Sequence, residues 1–273
     1  MKHNKNLIIL LGAEKCGTTW LYKLFLTHPN YIDNKFFWKE LQAWHCYKTT
    51  NIIQKIKRSK NFLQFIMFIN PKYFYFKYFN MILKNNLFTS DLSPSNIILE
   101  KKDIFYIKQK FNKLNISVKF ILFVRDPVQR CLSSFNMYYK KNQKTGLFND
   151  RIIKSSSLEE KFIFFYKLGS CQLSTKYEQI LSQTQILNQD DLRVFIYEDF
   201  FFNHKIKLLN DFLGVDFDTQ FTKQIIFSQK QDFVFDTSIL NDCALFYKDT
   251  YNFMSNKFPE VVNMWDGYKY LNN

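Results

Sequence analysis

Apolar residues in this chain fall into short unbroken runs, separated by longer stretches where they recur every three or four positions. Leu7 to Leu11 is the first run, and its continuity fits a strand buried on both faces rather than one with a wet side. It stops at Gly12. From Thr18 to Thr27, Leu21, Leu24 and Phe25 then follow at helical spacing, and His28-Pro29 ends the pattern because proline cannot continue a helix. Further strands are expected at Lys119 to Val124 and Leu192 to Tyr197, with a weaker one at Leu87 to Asp91. Each leads into a turn and a helical pattern. Alternation of this kind predicts an α/β fold: a P-loop-like central parallel β-sheet flanked by helices on both faces, with ligands at the carboxyl ends of the strands.

Between the strands, Glu159 to Gln183 reads as one long helix that Gly169 could break. His204 to Leu213 reads as another, closed by Gly214, and a final helix is expected from about Ser238 to Phe258. Phe62 to Phe79 is apolar-rich but interrupted by Asn70, Pro71, Lys72 and Lys77, which excludes a membrane span and leaves a buried or surface helix. Asp216 to Asp236 has no clean period and is expected to be a mobile loop.

Length and composition narrow this picture only at a few points. The 273 residues suffice for one sizeable domain covering 1–273, and with 6 Gly and 5 Pro there is no linker-like segment to divide it. The aromatic fraction of 19% is accounted for by core and helix surfaces. A net charge of +14 favours anionic partners such as a nucleotide, a nucleic acid, an acidic glycan or an acidic surface. The lysines are dispersed, however, without an arm or a helix-turn-helix or RNA-binding signature, which disfavours a nucleic-acid-binding role. Five widely spaced cysteines and four histidines offer neither a disulfide framework nor metal-ligand spacing, so reduced thiols, no metal and a cytoplasmic location are expected. The first strand begins within about six residues of Met1, which leaves no room for a signal peptide.

Candidate chemistry begins where the first strand stops. Gly12-Ala13-Glu14-Lys15-Cys16-Gly17-Thr18-Thr19 joins a strand to a helix and would gather several backbone N–H groups around one anion. The glycines have the spacing of GxxxxGK[ST], but Thr18 stands where that loop has its lysine, and the loop's lysine is Lys15 instead. This displaced lysine resembles the 5′-phosphosulfate loop of sulfotransferases, GxxKxGT[TS]xL, every position of which is present through Leu21. A second motif follows the strand ending at Val124: Arg125-Asp126-Pro127-Val128-Gln129-Arg130-Cys131-Leu132-Ser133 is similar to the family's 3′-phosphate motif, RxPxxRxxS. Read without the resemblance, the first loop is equally a strand-turn-helix with a solvated lysine, and the second an ordinary helix start.

The resemblance extends to Ser90-Asp91-Leu92-Ser93-Pro94-Ser95, to Tyr197-Glu198-Asp199-Phe200 and to Phe212-Leu213-Gly214-Val215, and is strongest with the carbohydrate and bacterial branch. Leu92, Asn96 and Cys171 depart from the family pattern, which bears on acceptor contacts more than on the nucleotide. The resemblance implies a sulfotransferase fold and transfer of the sulfuryl group from 3′-phosphoadenosine 5′-phosphosulfate (PAPS) to a hydroxyl or amine of a glycan or small molecule, without a metal. It implies that Lys15 stabilises the leaving group and that Cys16, Gly17, Thr18, Thr19 and Trp20 belong to the 5′-phosphate loop. Arg125 and Ser133 would hold the 3′-phosphate, Arg130 would support them, and Lys230 would reach in from the mobile loop. Glu40, in Lys39-Glu40-Leu41, occupies the position of the carbohydrate branch's base; His45 is the rival, since cytosolic members use a histidine. Glu198 and Asp199, adjacent at a strand end, are expected to brace or cap. The competing reading is a P-loop kinase or NTPase, against which stand Thr18 and the lack of a magnesium-binding aspartate after a hydrophobic strand.

Overall fold

The computed structural model describes residues 5–34, 39–84, 87–145, 157–218, 220–221 and 233–271. Its centre is a sheet of four parallel strands, β1 (Lys5–Gly12), β2 (Phe88–Asp91), β3 (Ile116–Val124) and β4 (Leu192–Ile196), in the order β2-β1-β3-β4. Leu7 to Leu11 of β1 and Phe120 to Val124 of β3 are all buried, as expected for central strands covered on both faces. Register is fixed by pairs such as Leu7 with Thr89 and with Val118, and it shifts between Leu10 and Gly12 where β1 leaves the ladder.

Helices supply the covering layers. The chain leaves β1 through α1 (Thr18–Leu26), then passes α2 (Ala43–Thr49), α3 (Ile52–Arg58), α4 (Phe62–Ile69) and α5 (Pro71–Ile82) before entering β2. It crosses back over β1 through α6 (Lys101–Lys113) to reach β3. Because β1 connects onward to one side while β3 lies on the other, the carboxyl ends of β1 and β3 flank the crevice where strand order reverses. After β3 come α7 (Pro127–Thr145), α8 (Leu158–Tyr166), α9 (Gly169–Leu173), α10 (Tyr177–Gln183), then β4, α11 (Tyr197–Phe202), α12 (Ile206–Leu213), α13 (Thr237–Phe246) and α14 (Lys248–Lys257).

Three expected helices are divided. Glu159 to Gln183 is α8, α9 and α10: Leu168 turns extended before Gly169, and Thr175 Oγ1 takes the Cys171 carbonyl at 2.6 Å, so side chains compete with the helix for its own acceptors. Ser238 to Phe258 breaks at Tyr247, whose hydroxyl donates to the Tyr166 carbonyl at 2.6 Å. Phe62 to Phe79 falls into α4 and α5 at Asn70-Pro71, with the proline at the first helical position. Gly214, at φ 64, ends α12 where the sequence placed the stop.

Candidate active site

The loop after β1 has no acceptors of its own for the amides it presents. Gly12 (φ 137), Lys15 (φ 67) and Gly17 (φ 83) turn the chain through the left-handed region, and the Ala13 amide fastens the loop to the Phe123 carbonyl of β3 at 2.9 Å. Gly17 is required twice over, by its φ and because a Cβ there would lie 2.5 Å from the Phe201 ring. It precedes Thr18, the first residue of α1, without a side-chain cap. Among the described residues, the backbone N–H groups of residues 15–20 find no acceptor. Consecutive free amides at a helix start form a nest for an anion, and the helix dipole adds to it.

Cations ring this nest. Lys15 Nζ meets Met137 Sδ of α7 at 3.7 Å, and burial first, with Arg125 and Lys39 nearby, lowers its pKa against the opposing pull of Glu14. Lys39 Nζ donates to Thr19 Oγ1 at 2.8 Å and reaches Thr18 Oγ1 at 3.5 Å, while pairing with Glu40 Oε1 at 2.9 Å. Arg125 arrives at the end of β3. Its Nη1 donates to the Lys15 carbonyl at 3.0 Å, its guanidinium lies 4.5 Å from the centre of the Tyr197 ring, and its Nε is buried without a partner. Tyr177 pins the Arg125 backbone by accepting from its N–H and donating to its carbonyl.

The structure thus brings Lys15, Gly17, Thr18, Thr19, Arg125 and, through Lys39, Glu40 to one place. Ser133 lies one helical turn before Met137 and shares its side of α7. Cys16 and Trp20 belong to the loop only through their backbones: Cys16 is buried with its thiol pushed up to about 12 by burial, and the Trp20 indole packs edge-on against Phe200 and Phe201. Arg130 is turned into the core, where its Nη2 meets Cys171 Sγ at 2.7 Å. His45 is set apart on α2: its pKa is lowered by burial and by Arg58 of α3, and its Nδ1 is buried without a partner. Lys230 and most of the expected loop from 216 to 236 lie outside the described residues. A groove of about 810 Å³ at the other, amino-terminal edge of the sheet, lined by Asn6, Phe88, Ser117 and Lys119 among others, contains none of these residues.

Two buried carboxylate systems brace the ends of β2 and β3. At the end of β2, Asp91 accepts from Tyr75, Ser93 and Asn96, and Ser93 Oγ in turn accepts the Gln42 amide at 2.9 Å. Gln42 Nε2 donates to Glu40 Oε2 at 3.0 Å, so both carboxylate oxygens of Glu40 are oriented. Asn96, one of the departures from the family pattern, also donates to the Leu10 carbonyl of β1 at 3.2 Å. Sequence reasoning missed Lys39, Gln42, Ser93 and Asn96 as parts of one assembly; their only signal was polarity next to apolar runs.

The second system caps α7. Asp126 accepts from the Val128 amide at 2.9 Å, from Tyr251 at 2.7 Å and from the Gly267 amide at 2.6 Å. Glu198 accepts the Asp126 amide at 3.1 Å and the Trp265 indole N–H at 2.9 Å, giving it the bracing role expected for it. Burial first, then Asp126, raises the Glu198 pKa from 4.5 to about 7. The folded state therefore binds a proton that the unfolded state releases, and this stabilisation is full below pH 4.5 and is lost as pH rises through about 7. Urea unfolding between about pH 5 and about pH 8 should show a decline of up to about 3 kcal/mol that Glu198→Gln removes. An identical decline in the variant would refute the assignment.

Comparisons with known proteins give the family and the fold. The family model described as "Sulfotransferase domain" matches residues 5–237. Among solved structures, the chain is similar to a sulfotransferase from Alicyclobacillus acidocaldarius at 15% identity and a TM-score of 0.58, over 91% of this chain and 94% of that one. The sulfotransferase domain of the Synechococcus PCC 7002 olefin synthase is matched at 16% identity and a TM-score of 0.45, over 87% and 82%. Mouse sulfotransferase SULT7A1 complexed with PAP is matched at 16% identity and a TM-score of 0.43, over 88% and 67%. Comparison with curated protein sequences gives no significant match.

Proposed function

The chain belongs to the sulfotransferase domain family, and from that premise we propose that it transfers the sulfuryl group of PAPS to a hydroxyl or amine of a glycan or small-molecule acceptor, an anionic one being favoured by the net charge of +14. The observation that carries this reading is the joining of the amide nest to Arg125: one anion seat after β1 and one cation after β3 are linked through the Lys15 carbonyl. The residues fit a nucleotide with phosphates at both ends, because the nest amides lack acceptors and Arg125 Nε is buried and unpartnered. Bound PAPS would supply an activated sulfuryl group on a phosphate leaving group.

In this reading the amides of residues 15–19 with Thr18 and Thr19 hold the 5′-phosphate, and Arg125 with Ser133 holds the 3′-phosphate. Lys15 stabilises negative charge on the departing oxygen. Glu40 takes the acceptor's proton, oriented by Lys39 and Gln42. Lys39, already bonded to Thr19, ties the base to the loop that holds the leaving group. Glu40 is preferred to His45 because its partner Lys39 leads to the nest, whereas His45 Nδ1 is buried without a partner.

Thermal denaturation with added ligand tests the cosubstrate class. A hundredfold excess over the dissociation constant contributes about 2.7 kcal/mol, so 3′,5′-adenosine bisphosphate should raise the midpoint by roughly 5–10 °C in a chain of this size. ATP with magnesium should raise it far less. The reverse ranking would favour a kinase or NTPase.

A further inference from the structure

Helix α3 (Ile52–Arg58) has no buried residue. Ile52, Ile53 and Ile56 are 52%, 59% and 57% exposed, and Phe62, four residues past the helix, is 76% exposed. Seven residues are too few to hold a helix on propensity alone. What fixes this one is a reciprocal cap, in which the Gln54 amide donates to Asn51 Oδ1 at 2.9 Å and the Asn51 amide to Gln54 Oε1 at 3.1 Å.

Lys55 is the one half-buried residue of the helix, and the other six are exposed. At about 100° per residue, Ile52, Ile53 and Ile56 form one narrow face, Lys55 and Lys57 flank it on either side, and Arg58 lies across from it. Each of the three isoleucines is more than half exposed, so this face is turned to solvent. The surrounding sequence has one sign of charge: from Leu41 to Ser90 there is no Asp or Glu, while Lys55, Lys57, Arg58 and Lys60 crowd the helix. Lys48, nearby, is already paired with Glu100 and Asp103.

We propose that α3 is a membrane-surface anchor: the Ile52-Ile53-Ile56 wedge enters the headgroup boundary of an anionic lipid bilayer, and Lys55 and Lys57 meet its phosphates. An apolar face bordered by lysines is the arrangement of helices that lie in the interface plane. Among the described residues no helix is long and apolar enough to cross a membrane, so the contact is peripheral. An acidic polymer would engage the lysines but would leave three exposed isoleucines without use. The proposal is independent of the sulfuryl-transfer reading.

Flotation of the full chain with phosphatidylcholine vesicles, with and without phosphatidylglycerol, tests it. The protein should float only with the phosphatidylglycerol vesicles. The Ile52→Ser/Ile53→Ser/Ile56→Ser variant should lose at least roughly tenfold in partition coefficient, and Lys57→Gln roughly fivefold. Circular dichroism and the thermal midpoint should stay unchanged in both, because these side chains are exposed. Failure of the wild type to float, or equal flotation of the serine variant, would overturn the proposal, the second result assigning binding to diffuse charge. So would a wild-type dimer that the serine variant dissociates, since a second copy would then cover the face.

Discussion

Replacing Lys15 by methionine should lower kcat by about a hundredfold to a thousandfold, the usual cost of losing one preorganised charge at a developing oxyanion. The substitution keeps most of the apolar stem and removes the ammonium, and with it the 3.7 Å contact with Met137 Sδ. KM should change little by comparison, because negative charge builds on the bridging oxygen only as the bond breaks. Stability should hold or rise, since the lysine's pKa is lowered chiefly by burial and a neutral side chain is relieved of that cost. Steady-state kinetics and a thermal scan on the same preparation separate the outcomes. A large rise in KM with kcat intact would make Lys15 a ground-state binding residue, and a lowered midpoint would make it structural.

Glu40→Gln should reduce kcat by about a hundredfold to ten-thousandfold, the range for removal of a general base. The amide is isosteric and keeps one oxygen for Lys39, while its NH2 group faces Gln42, whose own amide can turn to present its oxygen, so the nucleotide affinity should change little. His45→Asn is the paired control and should leave turnover near that of the wild type, because the bonds that tie Glu40 to the loop run through Lys39 and Gln42 and not through His45. If the histidine variant loses the rate and the glutamine variant keeps it, the base has been assigned to the wrong residue. Lys39→Met should resemble Glu40→Gln in rate and also weaken the nucleotide, since Lys39 bonds both Glu40 and the loop threonines.

The two proposed anion seats were legible as local structure because each is encoded within a run of consecutive residues: a strand, a glycine turn or arginine, and a helix start. Local backbone geometry carries that information, so Gly12 to Thr19 and Arg125 to Ser133 could be read without knowing what faces them. Lys39 could not. Its adjacency to Glu40 was visible, but its bond to Thr19 depends on how a 20-residue excursion returns to the loop. The Asp91-Ser93-Gln42 relay was hidden for the same reason, since it joins β2 to the start of α2 only after the sheet order is set. Helix lengths were overread where tertiary bonds beat periodicity: Tyr247 breaks the last helix by reaching Tyr166, a partner 81 positions away. Arg130, read as a support for the 3′-phosphate residues, has its side chain fully buried against Cys171, a partner 41 positions away that the motif does not name.

The account rests on Arg125 and Lys15 gripping opposite ends of one nucleotide, and calorimetric titration of 3′,5′-adenosine bisphosphate against 5′-adenosine monophosphate tests it most directly. The wild type should prefer the bisphosphate by roughly tenfold to a hundredfold, the worth of one charge-assisted hydrogen-bonding group. Arg125→Met should erase that preference while Lys15→Met leaves it intact. A preference that survives in Arg125→Met, or one that was never present in the wild type, would contradict the account.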